Sequence, residues 1–241
     1  MKQAILSVVA AAAIAFPAFA TPTVGDTPAE ERQEAIEQAQ KAAKIFDEIM
    51  GIEESAIPDE LLKDAEVIAI FPDVVKAAFI FGGSGGKGIV SARDPQTGRW
   101  GPPVFLKIGG ASWGAQIGAE SADFVMVGIS RDAQKIFEKE EWTIGAEAGF
   151  AAGPVGRKAK AGTDWKLDGQ WASYSRSKGA FAGLSLGGSK VKLDDDMNKA
   201  VYGPSVAVNH VLMGHATMDP SVSAIMVFPQ TLAKYGRPMP D

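Results

Sequence analysis

A glycine run broken by one serine and one lysine, at residues 82–88, contains the residue types most suited to chemistry in this chain. Residues 83–88 fit the G-x-G-x-x-G pattern of dinucleotide-binding loops, and residues 82–86 fit the G-x-S-x-G pattern around a hydrolase nucleophile. Both patterns need a strand before the motif and a helix after it, because the helix N-terminus receives the phosphate or follows the nucleophile turn. The residues that follow the run therefore decide its function.

The residues after the glycine run do not predict such a helix. Ile89 and Val90 are β-branched, and the strand pattern stops at the turn signal Asp94–Gly98. A P-loop is excluded as well, since the position six residues before Lys87 is Phe81 and Gly88 offers no hydroxyl to magnesium. We therefore predict a glycine-rich hairpin or bend in a sheet, where glycine allows close backbone approach.

The other polar residues do not match a catalytic or metal-binding pattern. His210 and His215 lack the H-E-x-x-H arrangement, and their apolar neighbours favour a buried or partly buried structural role. The acidic run 194–196 lacks the alternating ligands of a calcium loop and suits the start of a helix. A serine hydrolase using Ser84, with Asp168 and His210 downstream, is the least favoured alternative. We predict a protein that is not an enzyme and uses no cofactor or metal.

The N-terminus has the pattern of a secretory signal peptide. A positive start precedes the apolar stretch Ile5–Phe16 and the small-x-small cleavage site Ala18–Ala20. We predict that residues 1–20 are removed, that residues 21–28 form a short linker and that residues 29–241 form one domain. The chain has no cysteine, which excludes disulfides and thiol chemistry, and an exported chain without cysteine fits the bacterial periplasm.

Charge is distributed unevenly along the chain. The formal net charge is −5, which argues against general binding of nucleic acid. Between Asp26 and Glu66 there are 13 acidic and 4 basic residues, whereas between Gly145 and Lys192 there are 8 basic and 3 acidic residues. If the second segment forms one face, it attracts anions; the alternative is that its lysines alternate around solvated strands.

The elements that must position these residues begin with a helix. Thr27-Pro28-Ala29-Glu30 has the sequence of a capping box with proline at the first helical position, and Gly51 ends the pattern. The predicted apolar stripe is Ile36, Ala39, Ala43, Phe46 and Met50, and the predicted polar face is Glu34, Glu37, Lys41, Lys44 and Glu48. Because that polar face is mainly acidic, packing on a β core is favoured over lying on a membrane surface. A short helix is predicted from Asp59 to about Ala65.

Strand patterns dominate from Val67 onward. The predicted strands are Val67–Phe71, Ala77–Phe81, Ile89–Arg93, Val104–Ile108, Ser112–Gly118, Phe124–Gly128, Thr143–Gly149, Lys166–Ser175 and Phe181–Leu186. Further helices are predicted for Ser130–Glu141 and Asp194–Tyr202. The similar runs Ile68–Pro72 and Ile225–Pro229 indicate similar hairpin units within one sheet. Together these patterns predict an α+β fold, with an antiparallel, glycine-rich sheet or barrel-like core and N-terminal helices packed on it.

Several runs, in this order along the chain, resemble the SYLF-domain family of lipid-binding proteins. They are Ala69–Pro72, Phe79–Gly88, Gly98–Pro103, Gly114–Gly118 and Asn198–Gly203. The resemblance extends over roughly residues 30–236. It implies binding to anionic phospholipids through basic residues and an N-terminal helix, without catalysis or a cofactor, and some eukaryotic relatives also bind actin.

The resemblance and the charge pattern together predict a set of binding residues. Lys87 and Arg99 occupy matching motif positions, which we interpret as cations in turns that contact a lipid headgroup. The candidate set is Lys87, Arg99, Arg157, Lys158, Lys160 and Lys178. We predict a non-catalytic protein of the bacterial envelope that binds anionic phospholipid at a membrane surface. The alternative is a protein-interaction or envelope-scaffold module with a protein partner.

Overall fold

The computed structural model places most of the chain after Asp26. It describes residues 27–53, 56–79, 81–113, 118–145, 150–153, 171–177, 180–181 and 186–236. Within these ranges the chain adopts the predicted α+β fold, in which a curled, largely antiparallel sheet carries an N-terminal helix packed on it. The predicted signal peptide, residues 1–20, lies outside the described residues.

The described part of the sheet contains nine strands. Their bounds are β1 Val67–Phe79, β2 Phe81–Ala92, β3 Val104–Trp113, β4 Gly118–Gly128, β5 Glu141–Thr143, β6 Phe150–Ala152, β7 Trp171–Ser177, β8 Ala180–Phe181 and β9 Lys190–Leu193. The order across the sheet is β5-β9-β3-β2-β1-β4-β7-β6, and β8 pairs with β7. All of these pairings are antiparallel except that of β6 with β7.

The described helices lie before, between and after the strands. Their bounds are α1 Pro28–Gly51, α2 Asp59–Asp64, α3 Arg131–Gln134, α4 Asp195–Tyr202, α5 Val208–Leu212 and α6 Val227–Ala233, with 3₁₀ segments at Lys135–Glu138 and Pro220–Met226. None of these helices is long and apolar enough to cross a membrane.

Helix α1 begins at the predicted capping box. The Glu30 backbone N–H donates to the Thr27 hydroxyl at 3.3 Å, and the Thr27 backbone N–H donates to the Glu30 carboxylate at 2.7 Å. These reciprocal bonds use donors that the helix itself leaves without partners. The sequence therefore located the start of α1 correctly.

Helix α1 is buried over more of its surface than one apolar stripe. Of the predicted stripe, Ile36 is half-buried, whereas Ala39, Ala43, Phe46 and Met50 are buried, together with Ala35, Ala42, Ile45 and Ile49. The cause is that α1 contacts β1 and β2 of the sheet and also α4, α6 and the 3₁₀ segment Pro220–Met226. Packing on the β core is thus confirmed, and a second layer of helices extends the burial.

The glycine run forms part of a long strand. Strand β2 contains all of residues 82–88, so the hairpin or bend predicted for these residues is wrong, and the strand continues to Ala92 instead of leading into a helix. The predicted strand Val67–Phe71 and residues 77–79 of the predicted strand Ala77–Phe81 are joined as β1, whereas Phe81 begins β2. An irregularity after Ile70 separates the two parts of β1, and within it Asp73 has a φ of +46°. Glycine is needed here for close approach, because a Cβ at Gly88 would lie 2.3 Å from a ring carbon of Phe71.

The C-terminal part differs most from the prediction. The run Ile225–Pro229, which matches Ile68–Pro72 in pattern, ends a 3₁₀ segment and begins α6 instead of forming a hairpin strand. In the first copy the residues pair with β2 and β4, whereas in the second Ile225 and Phe228 are buried in a layer that contacts α1. Long-range packing therefore overrides the local pattern.

Several predicted elements are shorter than their patterns. The helix predicted for Ser130–Glu141 is α3 followed by a 3₁₀ turn that ends at Glu138, after which β5 starts at Glu141. The predicted helix Asp194–Tyr202 is confirmed as α4, with the Asp194 side chain accepting from the Met197 backbone N–H. The later predicted strands extend into residues outside the described ranges, and strand β9 and helix α5 were not predicted.

We expect Gly88→Ala to destabilise the protein by about 1–3 kcal/mol, because its methyl group would overlap the ring of Phe71. Gly85→Ala is the matched control on the same strand, since a Cβ there meets nothing within 4 Å. Urea unfolding of the three proteins measures the difference. Equal unfolding midpoints for the two variants would contradict the predicted close approach.

Candidate functional site

A row of charged side chains crosses five neighbouring strands of the sheet. Lys107 of β3 is the register partner of Lys87 of β2, and Asp73 lies in the irregular part of β1 beside Lys87. The Asp73 backbone N–H donates to Asp123 of β4 at 3.0 Å, and Asp123 is the register partner of Arg176 of β7. We call these five residues the charged row.

Helix α1 forms ion pairs with the charged row through three of its own charged side chains. Glu34 pairs with Lys87 at 2.6 Å, Lys41 pairs with Asp73, and Glu48 pairs with Arg176 at 2.9 Å. These helix residues are spaced by seven, which keeps them on one face and about 10.5 Å apart. Their partners lie on β2, β1 and β7, of which β2 and β1 are adjacent and β1 and β7 are separated by β4. The predicted polar face of α1 is therefore directed in part at the sheet.

The row is most enclosed at Arg176 and Asp123. The guanidinium donates to the Asp123 carboxylate at 3.0 Å, and the two side chains are only 13% and 14% exposed. Asp123 also accepts the Asp73 N–H, so each of its oxygens has a donor. A charge pair this enclosed is stable only while both partners are present, because either one alone would be a buried, uncompensated charge.

The other end of the row places lysines side by side. Lys192 of β9, Lys107 and Lys87 are successive register partners, and like charges opposite each other destabilise a sheet. The Lys107 ammonium lies 2.8 Å from Asp194, and the Lys87 ammonium lies 2.6 Å from Glu34. The acidic residues of α1 and of the α4 N-cap thus neutralise two of these three lysines.

Lys87 and Arg99, the two described members of the predicted lipid-binding set, are not brought together. Lys87 lies within strand β2 and not in a turn, because it and the glycines on either side of it pair with β3, and it is half-buried against Glu34. Arg99 follows the turn Asp94–Gly98, beyond the end of β2, and is exposed. Five residues of strand, about 17 Å, separate Lys87 from the end of β2 at Ala92.

The basic segment is described only in part. Arg157, Lys158, Lys160 and Lys178 lie outside the described residues. Of the cations that are described, Arg176 lies on β7, whereas Lys190 and Lys192 lie on β9, with four strands between them. Lys190 is also paired with Glu141 at 2.6 Å. The described cations of this segment are therefore spread across the sheet and do not form one compact patch.

The run Gly98–Pro103, which contains Trp100 and is one of the runs that carry the family resemblance, has a structural role. The Arg93 guanidinium lies 4.4 Å from the centre of the Trp100 ring, and its Nε donates to the Ala65 carbonyl at 2.8 Å. A Cβ at Gly101 would lie 2.5 Å from the Leu212 carbonyl oxygen, so only glycine fits there. The Gly98–Pro103 run thus joins the end of β2 to α2 and α5.

The run Asn198–Gly203, which also carries the family resemblance, has a structural role as well. The Asn198 side chain accepts from the Phe105 backbone N–H at 3.0 Å and donates to the Phe105 carbonyl at 2.8 Å. The Tyr202 hydroxyl donates to the Pro103 carbonyl. These bonds hold α4 against the start of β3, which positions the residues around α4.

The structure gives the hydrolase alternative no support at Ser84. Ser84 lies within β2, and its hydroxyl is 3.2 Å from that of Ser189. His210 and His215 are exposed with ring centres 6.5 Å apart, so the prediction that they are buried or partly buried is wrong; their segment presents Val211 and Leu212 to the core instead. The described residues contain no cluster of three or more side chains suited to hold a metal.

A groove of about 750 Å³ lies where the N-terminal end of α1 meets α4. Its walls are Pro28, Glu31 and Arg32 of α1, residues 199–204 with Asp196, and Thr217–Asp219. The Arg32 side chain joins the walls, because its Nε donates to the Ala200 carbonyl at 2.8 Å and its guanidinium lies 3.5 Å from Asp219. This volume is typical of ligand-binding sites.

Two buried carboxyl groups lie at this junction. Glu31, in the groove wall, is 7% exposed, and its Oε2 has no hydrogen-bond partner. Asp194 is fully buried; its Oδ1 is 2.8 Å from the Lys107 ammonium, and its Oδ2 has no hydrogen-bond partner. Burial raises the pKa of Glu31, as do the charges of Asp194 and Glu34, while Lys87 and Lys107 oppose the increase.

Sequence reasoning missed this site. Glu31 stands in the first turn of α1, where acidic residues are common because they favour the helix dipole. Its burial depends on α4, more than 160 residues later in the chain. The capping box identifies Glu30 as the residue that bonds back to Thr27 and is exposed, but no such motif marks Glu31 as buried.

Comparison with known proteins identifies a family profile and several relatives. The profile, described as "Ysc84: Las17-binding protein actin regulator", matches residues 109–235. LAS seventeen-binding protein 3 of Saccharomyces cerevisiae is 34% identical over 197 residues, which are 78% of this chain and 42% of the yeast protein. SH3 domain-containing protein PJ696.02 of Schizosaccharomyces pombe is 36% identical over 196 residues, 76% of this chain and 45% of that protein.

Animal proteins are also similar. SH3 domain-containing YSC84-like protein 1 of Bos taurus is 31% identical over 186 residues, which are 75% of this chain and 54% of the bovine protein. The chain thus spans about half the length, or less, of these curated relatives. The matched part includes α4 and the 217–219 wall of the groove.

We expect Arg176→Gln to lower the free energy of unfolding by about 3 kcal/mol, because it leaves Asp123 enclosed with its charge uncompensated. Lys44→Gln is the matched control; Lys44 also pairs with Glu48, but at 3.8 Å and with 77% exposure, and its loss should cost less than about 0.5 kcal/mol. Chemical denaturation tests both. Similar losses for the two variants would show that the enclosure of the row is unimportant.

We expect the effect of Glu31→Gln on stability to depend on pH. A raised pKa in the folded state stabilises the folded protein fully below the unfolded pKa of about 4.3, and that contribution is lost as pH rises through the folded pKa. The variant should therefore be more stable than the native chain at neutral pH, and the difference should shrink toward acid. Denaturation from about pH 4 to about pH 8 measures this. A difference that is constant across this range would contradict the assignment.

Proposed function

Because this chain belongs to the Ysc84, or SYLF-domain, family, we propose that it is a non-catalytic protein-interaction module. The family description and the name of the budding-yeast relative refer to binding of Las17 and to regulation of actin, not to an enzyme reaction. The shared region includes α4 and extends to the end of α6. We assign to this chain the same class of function, recognition of a protein partner.

The observation that carries this proposal is the composition of the groove beside α1 and α4. Apolar surface from Pro28, Pro204 and Met218 lies next to charged side chains of both signs. A peptide segment presents the same mixture of apolar and polar groups, and a concave surface of about 750 Å³ accommodates a few of its side chains. The partner docks here, between two elements that the charged row and the Asn198 bonds hold in place.

The basic segment supports a second candidate function. Eight basic and three acidic residues between Gly145 and Lys192 attract an anionic phospholipid surface, with about 1 kcal/mol for each well-placed cation. Exposed Arg99 would add to this attraction. In this proposal residues 1–20 direct export, residues 29–241 form one domain, and the protein lies peripherally on a membrane of the bacterial envelope.

One set of binding measurements tests both candidates. The purified chain is titrated with purified Las17, and sedimented with actin filaments and with vesicles of neutral or anionic phospholipid. We expect binding to Las17 or to actin filaments that weakens about tenfold with Thr217→Trp, because this exposed residue lines the groove and a large ring would fill it. Ser223→Trp is the control, an exposed position outside the groove wall.

The outcomes separate the two candidates. Binding to a protein probe that Thr217→Trp weakens and Ser223→Trp does not supports docking in the groove. Sedimentation with anionic vesicles alone, lost at high salt and unaffected by Thr217→Trp, would replace the protein-interaction proposal with the lipid one. Protein binding that is equally strong in both variants would move the docking surface away from the groove.

A further inference from the structure

The groove beside α1 contains a buried hydrogen-bond acceptor that the described residues leave without a donor. Glu31 lines the groove, is 7% exposed and has no hydrogen-bond partner at Oε2. Buried polar side chains nearly always have a partner, because an unmade bond to a buried group costs free energy, and more so for a charged group. Glu31 is therefore suited to receive a donor from a molecule in the groove.

The charges around Glu31 favour a cationic donor. Behind it, the buried carboxylate Asp194 keeps one oxygen without a hydrogen bond, and Lys107 is already bound to the other. On the groove walls, Asp196 and Asp219 add negative charge. A cation next to Glu31 thus lies in a groove whose wall carries two further acidic residues.

The groove's own cations leave this position open. Arg32 donates to the Ala200 carbonyl and lies near Asp219, so its guanidinium is held at the junction of the walls. Lys199 is exposed on α4 and contributes one positive charge to the wall. Lys107 neutralises Asp194 behind the wall, so the three acidic and two basic residues of the wall itself decide the balance of charge, which is negative.

We propose that the groove binds a basic side chain of a protein partner, with its cationic group donating to Glu31. This inference rests on the proposed protein-interaction function and adds the chemistry of the residue that is recognised. An arginine is bound more tightly than a lysine, because its planar guanidinium can donate to both oxygens of one carboxylate. The aliphatic part of the side chain lies against Pro28 and Met218.

A small probe tests this subsite without a natural partner. N-acetyl-arginine amide is titrated into the purified chain while the backbone resonances of residues 199–203 and 217–219 are followed by NMR. The matched probe is N-acetyl-citrulline amide, which has nearly the same shape without the charge. We expect the arginine probe to shift these resonances and to bind at least about tenfold more tightly than the citrulline probe.

Variants connect the binding to Glu31. We expect Glu31→Gln to weaken binding of the arginine probe about tenfold, and Glu37→Gln, which removes an exposed carboxylate of the same helix, to leave it unchanged. Asp196→Asn removes a 74% exposed acidic residue of the wall, whose loss should not affect folding, and should weaken binding about twofold. Thermal unfolding of each variant checks that the fold is retained.

The results distinguish this inference from the proposed function. Any of three results would overturn the inference, even if Las17 binds. They are equal binding of the two probes, equal binding of the arginine probe by the native chain and Glu31→Gln, and no shift of the groove resonances. Arginine-probe binding that depends on Glu31 supports it even if Las17 does not bind, an outcome that would count against the proposed partner alone. If Las17 binds, its affinity should fall about tenfold with Glu31→Gln and stay unchanged with Glu37→Gln.

Discussion

The contact between α1 and the charged row is the interaction on which the rest of this structure depends. The sheet places like charges next to each other, with lysines on β9, β3 and β2 and aspartates on β1 and β4. Without opposite charges nearby, the repulsion within each group would destabilise the sheet. Helix α1 supplies Glu34, Lys41 and Glu48 at seven-residue intervals, so opposite charges meet on β2, β1 and β7. These ion pairs set the direction in which α1 crosses the strands. The later helices then pack against the side of α1 that faces away from these pairs.

This arrangement changes what the cations of the chain are available for. Lys87, which by its motif is a candidate for contact with a lipid headgroup, neutralises Glu34, and Arg176 of the basic segment neutralises Asp123 and Glu48. The net charge of a segment therefore overstates its attraction for an external anion. A polar group that the described structure leaves without a partner is found instead at the N-terminal end of α1, where the buried Glu31 faces a groove.

The motifs that carry the family resemblance mainly maintain the architecture. Trp100 lies against Arg93, Gly101 allows close approach of a carbonyl, and Asn198 bonds both backbone groups of Phe105. Each of them couples elements that are distant in sequence. Their presence explains why family membership and fold class could be recognised from the sequence, while the same residues do not identify what the protein binds.

The sequence by itself determined the features that depend on neighbours within a few residues. The capping box at Thr27, the N-cap at Asp194 and the absence of a helix after the glycine run all follow from local hydrogen bonding and backbone preference. Only the tertiary structure decided that Ile225–Pro229 is helical while its counterpart is a strand, and that Glu31 is buried while Glu30 is exposed. The physical reason is that burial and ion pairing are set by residues far away in the chain, whose positions exist only once the sheet and α1 have packed together.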